Sequence, residues 1–369
     1  MLACYPIAAT HENWLHDSLV LIIQDIHAAL DSGEVIPETQ VKWRNLVPLD
    51  LTPVQRDGLA NSKGIRNYSF AYMNSVATLT SLERQRIFSI LQTQNCIPEL
   101  LSGAGEIETI ETDYPAVHEV VKLLFIFSFE KLTDFKVRER QYQIIFRSLK
   151  TKICPFCGIE RVMNPEETAQ DQDHYLAKSI YPFAAVNMRN LVPMCRCCNR
   201  DYKKAVDVIR DERGLRRTAF DPYNCVMPTI SLLQSSIDME TSPPLPRWNV
   251  EFIPASDHAE TWDSVFGIRT RYKRDILNEY FDTWLRGFSS KCAKDRRRKY
   301  ILPDFSCAEI RTVLADYTED KTGVPSVGMA GFLEPLVFEF LLSQYDQGND
   351  RIIKLVRDLV LGMEMEIAA

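Results

Sequence analysis

The chain has no apolar run long enough to cross a bilayer. Its two most apolar stretches, "LVLIIQDI" and "VVKLLFIFSF", are short, and Lys122 interrupts the second. A spanning helix needs about 20 apolar residues, so both stretches read as buried helices. The opening "MLACYPIAATHENW" has no basic leader and no small-residue cleavage site. That argues against a signal peptide and for a cytoplasmic setting. No internal repeat or low-complexity tract is evident, which sets aside solenoid architectures. Net positive charge is also missing: 43 Lys and Arg face 50 Asp and Glu. Taken whole, that balance argues against a nucleic-acid binder. Histidine is scarce, with six in 369 residues, so any imidazole chemistry has few places to sit.

What is present is unevenly spread. From Lys136 to Phe220 there are 17 Lys and Arg against 10 Asp and Glu, while the rest of the chain holds 26 against 40. The positive charge is therefore gathered on one segment, the footprint expected for a polyanionic partner. The acidic remainder would repel DNA and suits packing on itself or on another protein. A chain of 369 residues is long enough for two or three domains. The patterning divides it into a helical N-terminal region (1–135), a central domain (136–225) and a mainly helical C-terminal region (226–369).

Helical stripes mark the flanks. Leu19, Ile22, Ile23, Ile26 and Leu30 share one face between His16 and Leu30. Ser81 opens "SLERQRIFSIL", and a further helix is expected over Ala116–Leu132. "SGAGEIETIETDYP" reads as a loop from its Gly, Ser and acidic content. Beyond the centre, "WNVEFIP" reads as a strand. Trp262, Val265, Phe266, Tyr272, Ile276, Tyr280, Trp284 and Phe288 keep a helical spacing that predicts one long helix with a core-facing stripe. "FLEPLVFEFLLSQY" and "RIIKLVRDLVLGM" close the chain as helices.

The centre carries the chemistry. Cys154-x-x-Cys157 is followed by Gly158, and Cys195-x-x-Cys198 comes 37 residues after the first pair. Two such knuckles supply four thiolates to one tetrahedral zinc, and the glycine suits the tight turn a knuckle needs. Cys197 competes within the second pair, but Cys198 restores the two-residue spacing. Four thiolates leave no open coordination position, so this zinc is structural. The CxxC pairs are read as metal ligands or redox motifs rather than disulfides, and the six other cysteines as small buried apolar residues.

Asp173 and His174 stand side by side between the knuckles, and Asn199 directly follows Cys198. Phosphodiester hydrolysis needs an activated water, relief of phosphate charge and stabilisation of the leaving oxygen. A neutral imidazole can take the water's proton. A hard divalent cation, Mg²⁺ or Mn²⁺, can do the rest, and it prefers oxygen ligands such as Asp173 and the Asn199 side-chain carbonyl. On an extended segment, neighbouring Asp and His point to opposite faces, so one can hold metal while the other addresses water. Lys178, Arg200, Lys203 and Lys204 are candidate phosphate contacts. "KCAKDRRRKY", from Lys291, is either an extension of that path or a solvated helix end. Glu106, Glu108 and Glu111 read as a solvated acidic loop.

The arrangement CPFCG…DHYLAKS…YP…NLVPMC-x-x-CN…K resembles the HNH endonucleases, whose core is a ββα-metal fold, and within them the zinc-bearing endonuclease VII branch. The likeness covers about 50 residues, with "FDPY" downstream also similar. It implies an α+β protein: a ββα-metal core with structural zinc between mostly helical flanks. It implies His174 as general base, Asp173 and Asn199 as ligands of a catalytic Mg²⁺ or Mn²⁺, and Asn190 as the residue that braces the loop and orients the histidine. The last family position, often histidine, is Lys203 here, which suits a phosphate contact better than a metal ligand. Many relatives have proline where Ala177 stands.

The segment from Asp173 to Asn199 looks most like nucleases of bacterial antiphage systems, such as the Septu nuclease subunit, which works with an ATPase. This implies DNA as substrate and a protein partner, an ATPase or sensor subunit, that gates the activity. One such site cuts one strand, so double-strand cleavage calls for two nicks or a dimer. Two other readings stand beside it: a zinc-stapled nucleic-acid- or protein-binding module without catalysis, and an RNA-cutting toxin.

Overall fold

The computed structural model describes residues 1–167, 170–238, 245–323 and 331–363. It divides into two compact units. The first is Met1–Phe156 with Arg161–Met227, and the second is Pro228–Ala369 with Cys157–Glu160. Within the first unit one apolar core runs across residues 135 and 136.

Eight helices open the first unit: α1 (Trp14–Asp31), α2 (Gln40–Leu46), α3 (Pro53–Ala60), α4 (Lys63–Val76), α5 (Ser81–Asn95), α6 (Ile97–Leu101), α7 (Pro115–Asp134) and α8 (Val137–Ser148). Their starts are chemically marked. Thr80 accepts from the Glu83 amide while the Glu83 side chain returns to the Thr80 backbone, and Thr52 and Gln55 do the same ahead of α3. These reciprocal boxes satisfy amides that a helix start leaves unpaired. The apolar face of α1 (Leu15, Leu19, Ile22, Ile26) packs into a cluster with Trp43, Phe70, Ile87, Val121 and Phe125. The same cluster takes in Phe183, Val186, Met188 and Leu191 from the cysteine-bearing segment. The helices and that segment thus fold as one body. "SGAGEIETIETDYP" is loop as expected, although Ile107 and Ile110 are buried in it.

After α8 the chain forms β1 (Gln172–His174) and β2 (Leu191–Pro193), paired antiparallel with Asp173 opposite Val192 and His174 opposite Leu191. A wide-turned π-helical segment, Cys197–Lys203, follows. The "FDPY" stretch braces this hairpin. Asp221 pairs with Arg189 at 2.5 Å, and the Tyr223 hydroxyl donates to the Leu191 carbonyl at 2.5 Å. Tyr5 lies against the same strand, donating from its hydroxyl to the Pro193 carbonyl and from its amide to the Pro222 carbonyl at 2.8 Å.

The second unit holds two two-stranded antiparallel sheets. β3 (Thr229–Ser231) pairs with β6 (Glu251–Ile253), and β4 (Ser236–Asp238) with β5 (Leu245–Arg247). "WNVEFIP" is therefore strand only at its Glu251–Ile253 end. The helices are α9 (Asp257–Phe266), α10 (Ile268–Arg271), α11 (Asn278–Arg297), α12 (Cys307–Gly323), α13 (Leu333–Asp346) and α14 (Asp350–Leu361). The single long helix expected from residue 261 is broken. Gly267 takes a left-handed conformation (φ 61°) and its amide closes on the Asp263 carbonyl, a termination that glycine tolerates without strain. Its aromatic stripe does face the core, with Trp262, Phe266, Tyr272 and Phe288 buried. No helix among the described residues is long and apolar enough to cross a membrane.

The cysteine reading needs correction outside the knuckles. Cys4 and Cys225 are bonded as a disulfide, with Cα atoms 6.1 Å apart. Cys96 and Cys307 are exposed, and of the six only Cys292 is a buried free thiol. Spacing cannot reveal a pair 221 residues apart.

Candidate metal centre and hairpin site

The four knuckle cysteines converge. Cys154, Cys157, Cys195 and Cys198 are all buried, and their sulfurs lie within 4.8 Å of one another. Gly158 sits at φ 66°, so the turn after the first pair uses the conformation only glycine adopts freely. Backbone amides approach the sulfurs: Ile159 N to Cys157, Cys195 N to Cys154 and Cys198 N to Cys195, each at 3.4 Å. Such donors stabilise thiolate charge and orient the ligands. Cys197 is only half-buried and lies outside the cluster. Four sulfurs at this separation suit a structural metal ion such as zinc.

The hairpin beside them carries Asp173 and His174, both over nine-tenths buried. His174 Nε2 lies 3.0 Å from the Ala185 carbonyl oxygen. A carbonyl only accepts, so Nε2 carries the proton and the neutral ring keeps its lone pair on Nδ1. The ring is held edge-on by Phe129 of α7, centroids 4.3 Å apart. Burial, reinforced by the charge of Lys178, pushes the imidazole pKa down to about 3. His174 is therefore an uncharged proton acceptor across the neutral range.

Asn190 sits at the base of the loop joining the strands, with no exposed surface. Its Oδ1 accepts from Leu176 N at 2.6 Å, and its Nδ2 donates to the Leu176 and Ala184 carbonyls, both at 3.1 Å. Ala184 precedes Ala185, whose carbonyl fixes His174. One buried amide thus closes the loop and sets the histidine's acceptor.

Lys203 differs from the sequence expectation. It is fully buried, with Nζ 2.8 Å from Asp173 Oδ2 and donating at 2.8 Å to the His174 carbonyl. An ammonium so placed is an internal counter-ion and not a surface phosphate contact. The contact with Asp173 is a buried ion pair. Burial raises the Asp173 pKa, and Lys203 opposes that shift.

Asn199 is half-buried on the π-helical segment, four residues before Lys203. Lys204 is exposed. Arg200 is exposed but paired with Asp171 at 2.7 Å, so its charge is already partly met. Lys178 is half-buried, with Nζ 5.3 Å from the Phe129 centroid. Glu106, Glu108 and Glu111 join no metal-competent cluster among the described residues.

Sequence reasoning missed three contributors: Phe129, Arg138 and Gln141. Gln141 donates to the Met188 carbonyl at 2.9 Å and to the Tyr223 hydroxyl at 3.0 Å, tying α8 to the hairpin. The sequence signal for Gln141 is a polar residue on the buried face of α8, among Val137, Tyr142 and Ile145. Comparisons with protein-family models, with curated proteins and with solved structures gave no match.

Proposed function

We propose that this chain is a metal-dependent endonuclease of the HNH kind that hydrolyses DNA phosphodiester bonds. The observation that carries the reading is His174. It is a buried neutral imidazole tied through Nε2 to Ala185, leaving Nδ1 as proton acceptor, on a hairpin that leads into the four-cysteine cluster. A purely structural histidine needs no adjacent buried carboxylate. The antiparallel β1–β2 pair followed by the Cys197–Lys203 helical segment fits a ββα-metal core.

A divalent cation suits the oxygen donors here. Asp173 is a buried carboxylate whose Oδ2 a cation would share with Lys203, 2.8 Å away, and the Asn199 side chain stands on the neighbouring helical segment. Asp173 and Asn199 would hold Mg²⁺ or Mn²⁺, which when bound neutralises phosphate charge and stabilises the leaving oxygen. His174 Nδ1 accepts the proton of the attacking water. Phe129 and the Ala185 carbonyl prevent the ring from rotating, and Asn190 holds that carbonyl's segment in place. Products would carry a 3′-hydroxyl and a 5′-phosphate. Gating by a partner such as an ATPase or sensor subunit, in antiphage defence, belongs to the same reading.

The Lys203–Asp173 ion pair favours one alternative, a zinc-stapled binding module without catalysis, because an ammonium already satisfies the carboxylate. End-labelled DNA and RNA oligonucleotides, incubated with Mg²⁺ or Mn²⁺, separate the readings. Metal-dependent cleavage of DNA with 5′-phosphate ends is expected. Binding with no cleavage under any metal or partner condition favours the module, and cleavage of RNA alone favours the toxin reading.

A further inference from the structure

Arg138, on the first turn of α8, lies against the same Phe129 ring that holds His174. Its guanidinium carbon is 4.5 Å from the ring centroid. It also reaches β1, donating from Nε to Gln172 Oε1 at 2.9 Å, while Nη1 donates to Thr133 Oγ1 at 3.2 Å. A guanidinium has five N–H groups, so three remain. Among the described residues no carboxylate stands within ion-pair distance of it. Asp171, whose charge acts on it, is taken by Arg200, and Glu139 is taken by Lys136 at 3.1 Å. A half-buried cation without a counter-ion is costly to keep. This one opens onto a cavity of about 210 Å³ whose lining includes Glu139, Tyr142, Gln143, Gln170 and Gln172. Gln170 and Gln172 spend their amides on protein partners, so Arg138 is the charged donor the cavity offers.

We propose that Arg138 binds a phosphate of a polynucleotide backbone, next to the one presented to His174, a role that rests on the nuclease reading. Planar N–H pairs match phosphate oxygens. The stack on Phe129 fixes the guanidinium at a set distance from the imidazole, so a strand gripped here is registered against Nδ1. Lys178, on the same ring, adds charge.

The test is fluorescence anisotropy of a labelled single-stranded oligonucleotide with the full chain, without added divalent cation. Arg138→Gln should weaken binding about tenfold and lower the slope of log K against log salt by about 0.7, the share of one phosphate contact. Arg147→Gln, an exposed arginine on α8, should change neither appreciably. Arg138→Lys should keep the slope but lose affinity; it carries the test if Arg138→Gln fails to fold. Three results would overturn the proposal: Arg138→Gln behaving like Arg147→Gln, no oligonucleotide binding by the wild type, or displacement of the oligonucleotide by sub-millimolar inorganic phosphate. Binding through Arg138 by a chain that cuts nothing would remove the catalytic reading and leave the phosphate site standing.

Discussion

Replacing Lys203 with methionine should expose how the hairpin site is held together. Lys203 is fully buried and its ammonium meets Asp173 at 2.8 Å. Removing one partner of a buried ion pair typically costs about 3–5 kcal/mol, because the other charge is stranded. The His174 carbonyl also loses its donor. For a unit of roughly 220 residues, 1 kcal/mol shifts the midpoint by about 2–4 °C. Lys203→Met should therefore lower the first unit's thermal midpoint by about 6–20 °C, against a few tenths of a kcal/mol for exposed Lys204→Met. Millimolar Mn²⁺ should then stabilise Lys203→Met more than the wild type, since the freed carboxylate takes the cation without competition from an ammonium. The readout is differential scanning calorimetry of both variants with and without metal. A midpoint within 2 °C of the Lys204→Met control would refute the claim that Lys203 is the counter-ion of Asp173. A metal response equal to the wild type's would refute Asp173 as a cation ligand.

Other consequences concern the metal cluster, the loop brace and pH. Cys195→Ser should reduce bound zinc from about one per chain to near zero by elemental analysis. It should also abolish cooperative unfolding of the first unit, because structural zinc sites contribute on the order of 10 kcal/mol. Asn190→Ala strands the Leu176 amide and two carbonyls. At about 1–3 kcal/mol for each unsatisfied buried group, it should destabilise the fold and cut any cleavage rate, read by urea unfolding and single-turnover assay. His16 and His27 are buried neutral, their pKa values lowered by desolvation to about 4. The unfolded chain binds their protons near pH 6.5, so stability should be full above that value and fall on acidification toward pH 4. The loss should reach about 2 kcal/mol per histidine by pH 5, and His16→Gln should flatten that limb in urea titrations at pH 5 and 7.

The spacing of Cys154, Cys157, Cys195 and Cys198 was legible because tetrahedral thiolate sites impose a local, repeated pattern. The helix over Trp14–Asp31 was legible from its apolar stripe, and the one over Ser81–Asn95 from the start signal that Glu83 completes. The start at Ser81 holds, with Thr80 as its cap. Gly267 was read through because its neighbours keep the helical period on both sides, and only its left-handed φ breaks the helix. Lys203 was read as surface by residue type, since a buried ammonium depends on a carboxylate 30 positions earlier meeting it in space. Arg138 and Phe129 lie on helices before the first knuckle. Nothing in their local pattern reports that they fold against His174.

The most direct test of the central claim is cleavage of supercoiled plasmid in Mg²⁺ or Mn²⁺ by the wild type and by His174→Ala. The account predicts metal-dependent nicking or linearisation that His174→Ala abolishes while its zinc content stays at about one per chain. Equal cleavage by both proteins would contradict it, because the base would then lie elsewhere.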